Sequence, residues 1–99
     1  MEVDFDDPDL DRLEVDPGFT AGLAPPIVRG FRKAMQAIRA ALDERDLYVS
    51  KGFHFKKLKA RGSERSMRLN RQFRLILEIE DGRNGRRARI KGIEDYHKG

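Results

Sequence analysis

From Ser66 to Glu80 the chain alternates. Met67, Leu69, Phe73, Leu75, Leu77 and Ile79 fall on one side, and Arg68, Asn70, Gln72, Arg74, Glu78 and Glu80 on the other. A period of two marks strands with one face on a core and one in solvent. Arg71 and Ile76 break the pattern. The polar triplet Asn70-Arg71-Gln72 suits a turn, so the stretch predicts a hairpin of two strands. Its outer face would carry Arg68 and Arg74 close together, a surface able to hold an anion.

The flanking segments follow by the same reading. Met1 to Phe5 alternates weakly and predicts an edge strand. Asp7-Pro8 has the form of an N-cap with proline in the first turn, and predicts a short helix over Pro8 to Glu14 with Leu10 and Leu13 inward. Pro17, Gly18, Gly22 and Pro25 predict a loop anchored by Phe19 and Leu23. Ile27, Phe31, Ala34, Met35, Ile38, Ala41 and Leu42 recur at helical spacing and predict the main helix over Pro26 to Leu42, with Arg29, Arg32, Lys33, Gln36 and Arg39 on its polar side. Asp43 to Gly52 reads as a link, and Gly52 to Leu58 as a strand on which His54 and Lys56 share a face. Lys59 to Arg65 reads as a polar connection, and Asp81 to Gly85 as a turn-rich loop. A last strand follows, with Ala88, Ile90 and Gly92 opposite Arg87, Arg89 and Lys91. The sum is one α+β domain over residues 1–99. It has two N-terminal helices packed on one face of an antiparallel sheet of four to five strands.

Composition narrows the function. A chain of 99 residues buries one modest core. There is no Cys, and no apolar run approaches the roughly 20 residues of a membrane span, so a cytoplasmic protein without membrane contact is expected. The net charge of +4 hides an asymmetry. Residues 1–16 hold eight acids and one base, whereas the remainder carries 20 bases and nine acids. Such a basic body points to a polyanion, most often nucleic acid or ribosome; a basic surface without that partner is the other reading.

Candidate chemistry is sparse. No GxxxxGK loop is present, and two His and no Cys make a metal cluster improbable, so neither metal nor cofactor is expected. What remains is the cationic strand face with His54, Asp95, Tyr96 and His97. Cleavage of RNA by its own 2′-hydroxyl suits that set. It needs a base at the 2′-oxygen, an acid at the leaving 5′-oxygen and fixed positive charge on the phosphorane. His serves as either acid or base near neutral pH, and Tyr96 can stack on a nucleobase. The bland alternative is an idle terminal His, with Arg68 and Arg74 pairing across the sheet with Glu78 and Glu80.

The strings FHFKKLKARGSERSMRLNRQFRLILEIE and IKGIEDYHKG carry a family likeness. Leu58-Lys59, then Ser66, Asn70 and Phe73-Arg74, then Asp95-Tyr96-His97 resemble the RelE/ParE superfamily of type II toxins, in its HigB-like, plasmid-maintenance killer branch. The likeness is strongest over residues 52–97. It implies a toxin that cuts mRNA on the ribosome without metal. A cognate antitoxin, of the helix-turn-helix, HigA-like kind, would inhibit it and carry it to operator DNA. It implies catalytic roles for His97, Tyr96, Asp95, Arg74 and one of Lys56 and His54, with Arg68, Lys57, Lys59 and Asn70 toward RNA phosphates. Lys56 stands where the branch has its His, and Ala60 where the family usually has Gly. A ParE-type inhibitor of DNA gyrase and a non-toxic member kept for antitoxin binding are the alternatives.

Overall fold

The computed structural model describes residues 1–96. The elements run β1 (Glu2–Phe5), α1 (Pro8–Val15), α2 (Pro25–Ala40), α3 (Glu44–Val49), a 3-10 turn (Lys51–Phe53), β2 (Lys56–Lys57), β3 (Glu64–Arg68), β4 (Phe73–Gly82) and β5 (Gly85–Asp95). The five strands form one sheet in the order β1-β5-β4-β3-β2. The architecture is α+β, with the helices on one face. Leu10 and Leu13 of α1 and Ile27, Phe31, Ala34, Met35 and Ile38 of α2 share a core with Met67, Leu75, Leu77, Ile79, Ala88 and Ile90 of the sheet. No helix among the described residues is long and apolar enough to cross a membrane.

The helices form where local signals concentrate. Asp7 caps α1 by accepting from Asp9 N, and Pro8 fills its first position. Arg32, expected on the polar side of α2, is a clamp. Its guanidinium donates to the carbonyls of Leu13, Asp16 and Phe19, satisfying groups that the end of α1 and the following loop leave open. α2 ends at Ala40 rather than Leu42, because Ala41 turns extended and Leu42 N donates to Asp46. Leu42 is therefore 84% exposed instead of inward.

Four further expectations are corrected. The sheet is not wholly antiparallel: β1 lies parallel to β5, because the antiparallel run from β2 to β5 leaves the last strand pointing along β1. A third helix stands in the expected link over Asp43 to Gly52, capped by the Asp43 side chain and holding only Leu47 in the core. Six residues are too few to show a helical period. The strand expected over Gly52 to Leu58 shrinks to Lys56–Lys57. Gly52 and Phe53 form the 3-10 turn and His54 is left-handed, with φ 47°. His54 and Lys56 therefore do not share a strand face.

The fourth correction concerns β5. Ile76 pairs with Gly92, but Leu77 pairs with Ile90, so Lys91 is an extra residue in a β-bulge. Strict alternation would keep Gly92 with Ala88 and Ile90 on the core side. The bulge instead moves Gly92 and Glu94 to the outer face and gives Ile93 to the core side.

Two backbone positions constrain the residue that can occupy them. A Cβ on Gly30 would stand 2.3 Å from Leu69 O, where α2 crosses the turn between β3 and β4. Ala60 is left-handed, at φ 62°. Gly30→Ala should lower stability by about 2–3 kcal/mol through overpacking, despite the better helix propensity of Ala. Ala60→Gly should raise it by about 0.5–1 kcal/mol, the left-handed penalty less the added freedom of the unfolded chain. Urea denaturation of the two variants checks both signs.

Candidate active site

The bulge in β5 and the pairing of β4 with its neighbours build a cleft on the outer face of the sheet. Arg74 pairs across β4 with Glu94, and Ser66 with Ile76. Leu58, Arg61, Ser66, Arg74, Ile76, Glu94, Asp95 and Tyr96 line a cleft of about 400 Å³. Ile76, which broke the alternation of the sequence, is 3% exposed yet lies outside the main core cluster. It forms the apolar floor of this cleft with Leu58.

Two cations converge on Tyr96. The Arg74 guanidinium carbon lies 4.2 Å from the ring centroid, and Lys56 Nζ lies 5.5 Å from it. Both distances suit cation–π attraction. Arg74 Nε and Nη1 and Ser66 Oγ are buried without a hydrogen-bond partner among the described residues. Buried donors of that kind carry a desolvation cost that an anionic acceptor in the cleft would relieve. Asp95 accepts from Gln72 Nε2 at 2.8 Å, and Tyr96 N donates to Gln72 O, so the β3–β4 turn fixes the end of β5.

Arg61 and Glu94 close one wall. Arg61 donates to both Glu94 oxygens at 2.9 and 2.7 Å and pairs with Glu64 at 2.7 Å. The Arg61 hydrogen bonds hold the Glu94 carboxyl below its ordinary value, against a smaller opposing effect of burial. Sequence reasoning missed both residues. The only signal was their charge, and the loop that brings Arg61 to Glu94 cannot be read from spacing.

The remaining expected site residues scatter. Arg68 is the cross-strand partner of Arg74. Its guanidinium nevertheless turns away, donating to Asn70 O at 3.3 Å and meeting His54 Nε2 at 3.5 Å. His54 does not line the cleft. Asn70 Oδ1 accepts from the backbone of Gln72 and Phe73, a turn-forming use of that side chain. Lys57 and Lys59 are exposed and outside the cleft. Neither Arg68 nor Arg74 pairs with Glu78 or Glu80, which serve Lys91, Arg87 and Arg89 instead. His97 lies outside the described residues. No cluster of metal-ligating side chains occurs among the described residues.

The fold has a solved counterpart. A YoeB/ParE toxin from Agrobacterium tumefaciens superposes with a TM-score of 0.60 at 12% identity, covering 97% of this chain and 99% of that one. This chain has the RelE/ParE-type toxin fold. No protein-family model matches the sequence, and no curated protein does. In this chain the cleft sits on the sheet face opposite the helices.

Glu94 has a pH consequence. A carboxyl held low by folding contributes stability above its unfolded value and loses it as pH falls through the folded one. Stability should therefore decline as the solution is acidified below about pH 4.5, the group's ordinary value. Glu80, held low chiefly by Arg89, adds in the same direction. Glu94→Gln should flatten part of this acid dependence in urea unfolding followed against pH.

Proposed function

We propose that the chain is the toxin of a type II toxin–antitoxin system, of HigB-like kind. In this reading it is a ribosome-dependent endoribonuclease that cuts mRNA in the cytoplasm and stops translation. The observation that carries the reading is the Arg74–Tyr96–Lys56 cluster over an apolar floor, with two buried Arg74 nitrogens that have no acceptor among the described residues. A nucleobase stacks on Tyr96, and Arg74 and Lys56 hold the phosphate beside it.

The reaction needs no metal. The 2′-oxygen gives up its proton and bonds to phosphorus, and the bond from phosphorus to the 5′-oxygen breaks as that oxygen is protonated. The products are a 2′,3′-cyclic phosphate and a 5′-hydroxyl. Lys56 and His97 take the proton-transfer roles, Arg74 stabilises the charge gained by the phosphorane, and Asp95 anchors the strand end through Gln72. In this reading Lys56 rather than His54 takes the strand-side role, supported by the approach of Lys56 Nζ to the Tyr96 ring and by the contact of His54 with Arg68.

Charge distribution supports the polyanion. Arg87, Arg89 and Lys91 are paired with Asp4, Asp6, Glu78 and Glu80. Lys56, Lys57, Lys59, Arg68, Arg71 and Arg74 have no ion pair among the described residues. The proposed antitoxin, HigA-like and with a helix-turn-helix domain for operator DNA, covers this unpaired region with an acidic segment. A ParE-type gyrase inhibitor is the second reading, since the structural neighbour is a YoeB/ParE toxin.

Expression should arrest growth and leave transcripts cut with cyclic phosphate ends. Arg74→Ala and Lys56→Ala should each lower cleavage by about 10²-fold or more, and a 2′-deoxy residue at the scissile position should abolish it. Intact transcripts together with loss of supercoiling by purified gyrase would instead select the second reading.

A further inference from the structure

A smaller pocket lies on the far side of Arg68. Gly30 and Lys33 of α2, Ser50, Gly52 and Phe53 around the 3-10 turn, and Arg68 and Leu69 line about 130 Å³. Its two cations come from different layers of the fold, one from the helix and one from the sheet. Neither has a carboxylate partner among the described residues. The close approach at Gly30 is what lets them share a cavity, since any side chain there would strike Leu69 O and push α2 outward. His54, left-handed at φ 47°, places Nε2 3.5 Å from Arg68 Nη1 and faces the guanidinium on its exposed side.

We propose that this pocket is a second phosphate site, built by Lys33 and Arg68 with the Ser50 hydroxyl, for a phosphodiester of single-stranded RNA. The proposal rests on the nucleic-acid reading of the cleft and extends it beyond the reacting nucleotide. Its volume is about a third of the cleft's, the scale of a phosphate group rather than of a nucleotide. Its place fits a continuous strand. Arg68 and Arg74 are cross-strand partners, so the pocket begins one strand away from the cation on Tyr96. A chain whose base lies against Tyr96 then passes a neighbouring phosphate over the sheet edge toward α2. This separates binding from chemistry: Arg74 and Lys56 act at the reacting phosphate, while Lys33 and Arg68 set the register of the strand.

The test is fluorescence anisotropy of a labelled single-stranded RNA oligonucleotide across a salt series. It compares the unsubstituted protein with Lys33→Ala, Arg68→Ala, Arg74→Ala and, as a remote control, Arg83→Ala. Lys33→Ala and Arg68→Ala should each weaken binding several-fold and reduce the slope of log K against log salt by about 0.7, the value for one lost contact to single-stranded phosphate. Arg83→Ala should leave the slope unchanged. Lys33 is exposed on α2, so its variant tests the site even if Arg68→Ala misfolds. Unchanged affinity and slope in Lys33→Ala, with loss in Arg74→Ala, would overturn the second site and leave the cleft standing. Loss in Lys33→Ala with none in Arg74→Ala would uphold the pocket and count against the cleft. Loss of polyglutamate binding with RNA binding intact would assign the pocket to a carboxylate and overturn the proposal.

Discussion

The site depends on one extra residue in β5. Up to Ile90 the strand alternates with its apolar side on the core, paired to the same side of β4. Lys91 interrupts the count, and beyond it the parity of the strand is reversed. Glu94 consequently faces Arg74, and Tyr96 lies over that guanidinium. The apolar side remains served, because Ile93 returns to the core in register with Leu75. A single irregularity thus leaves the core intact and turns the end of β5 and Tyr96 to the opposite surface, where Ile76, Leu58 and Ser66 have made room.

Strong alternation and strong periodicity made most of the fold legible. The hairpin of β3 and β4 and the helices α1 and α2 are long enough for their periods to stand out, and apolar burial decides their faces. Legibility failed where elements are short or determined by distant contacts. α3 is one and a half turns, held by an Asp43 cap and by Leu47, and neither makes a pattern. The strand around Lys56 is two residues because Phe53 and Phe55 enter the core from a 3-10 turn and a loop rather than from a regular strand. A bulge leaves no mark in the order of residue types, so the side taken by Gly92 could not be read.

The site shows the same division. Arg74, Tyr96, Lys56 and Asp95 were visible as residue types, and the fold brings the first three together. Arg68 shares the strand face of Arg74, but a face does not fix where a long side chain goes. A nearby carbonyl and an imidazole draw it to the sheet edge. Ile76 was visible only as an exception, and exceptions to an alternating pattern are informative because a buried apolar group on a solvent face requires something built above it.

The ion pairs of β1 have a further effect. Asp4 and Asp6 carry negative charge to the β5 side, where they compensate Arg87, Arg89 and Lys91, while the β2 side keeps its excess cations. The molecule therefore has a charge dipole lying across the sheet rather than a uniform positive coat. In the field of a polyanion such a body experiences a torque as well as an attraction. It is turned with its β2 side foremost before any contact forms, so encounters begin already oriented, and added salt should erode that alignment as well as the affinity.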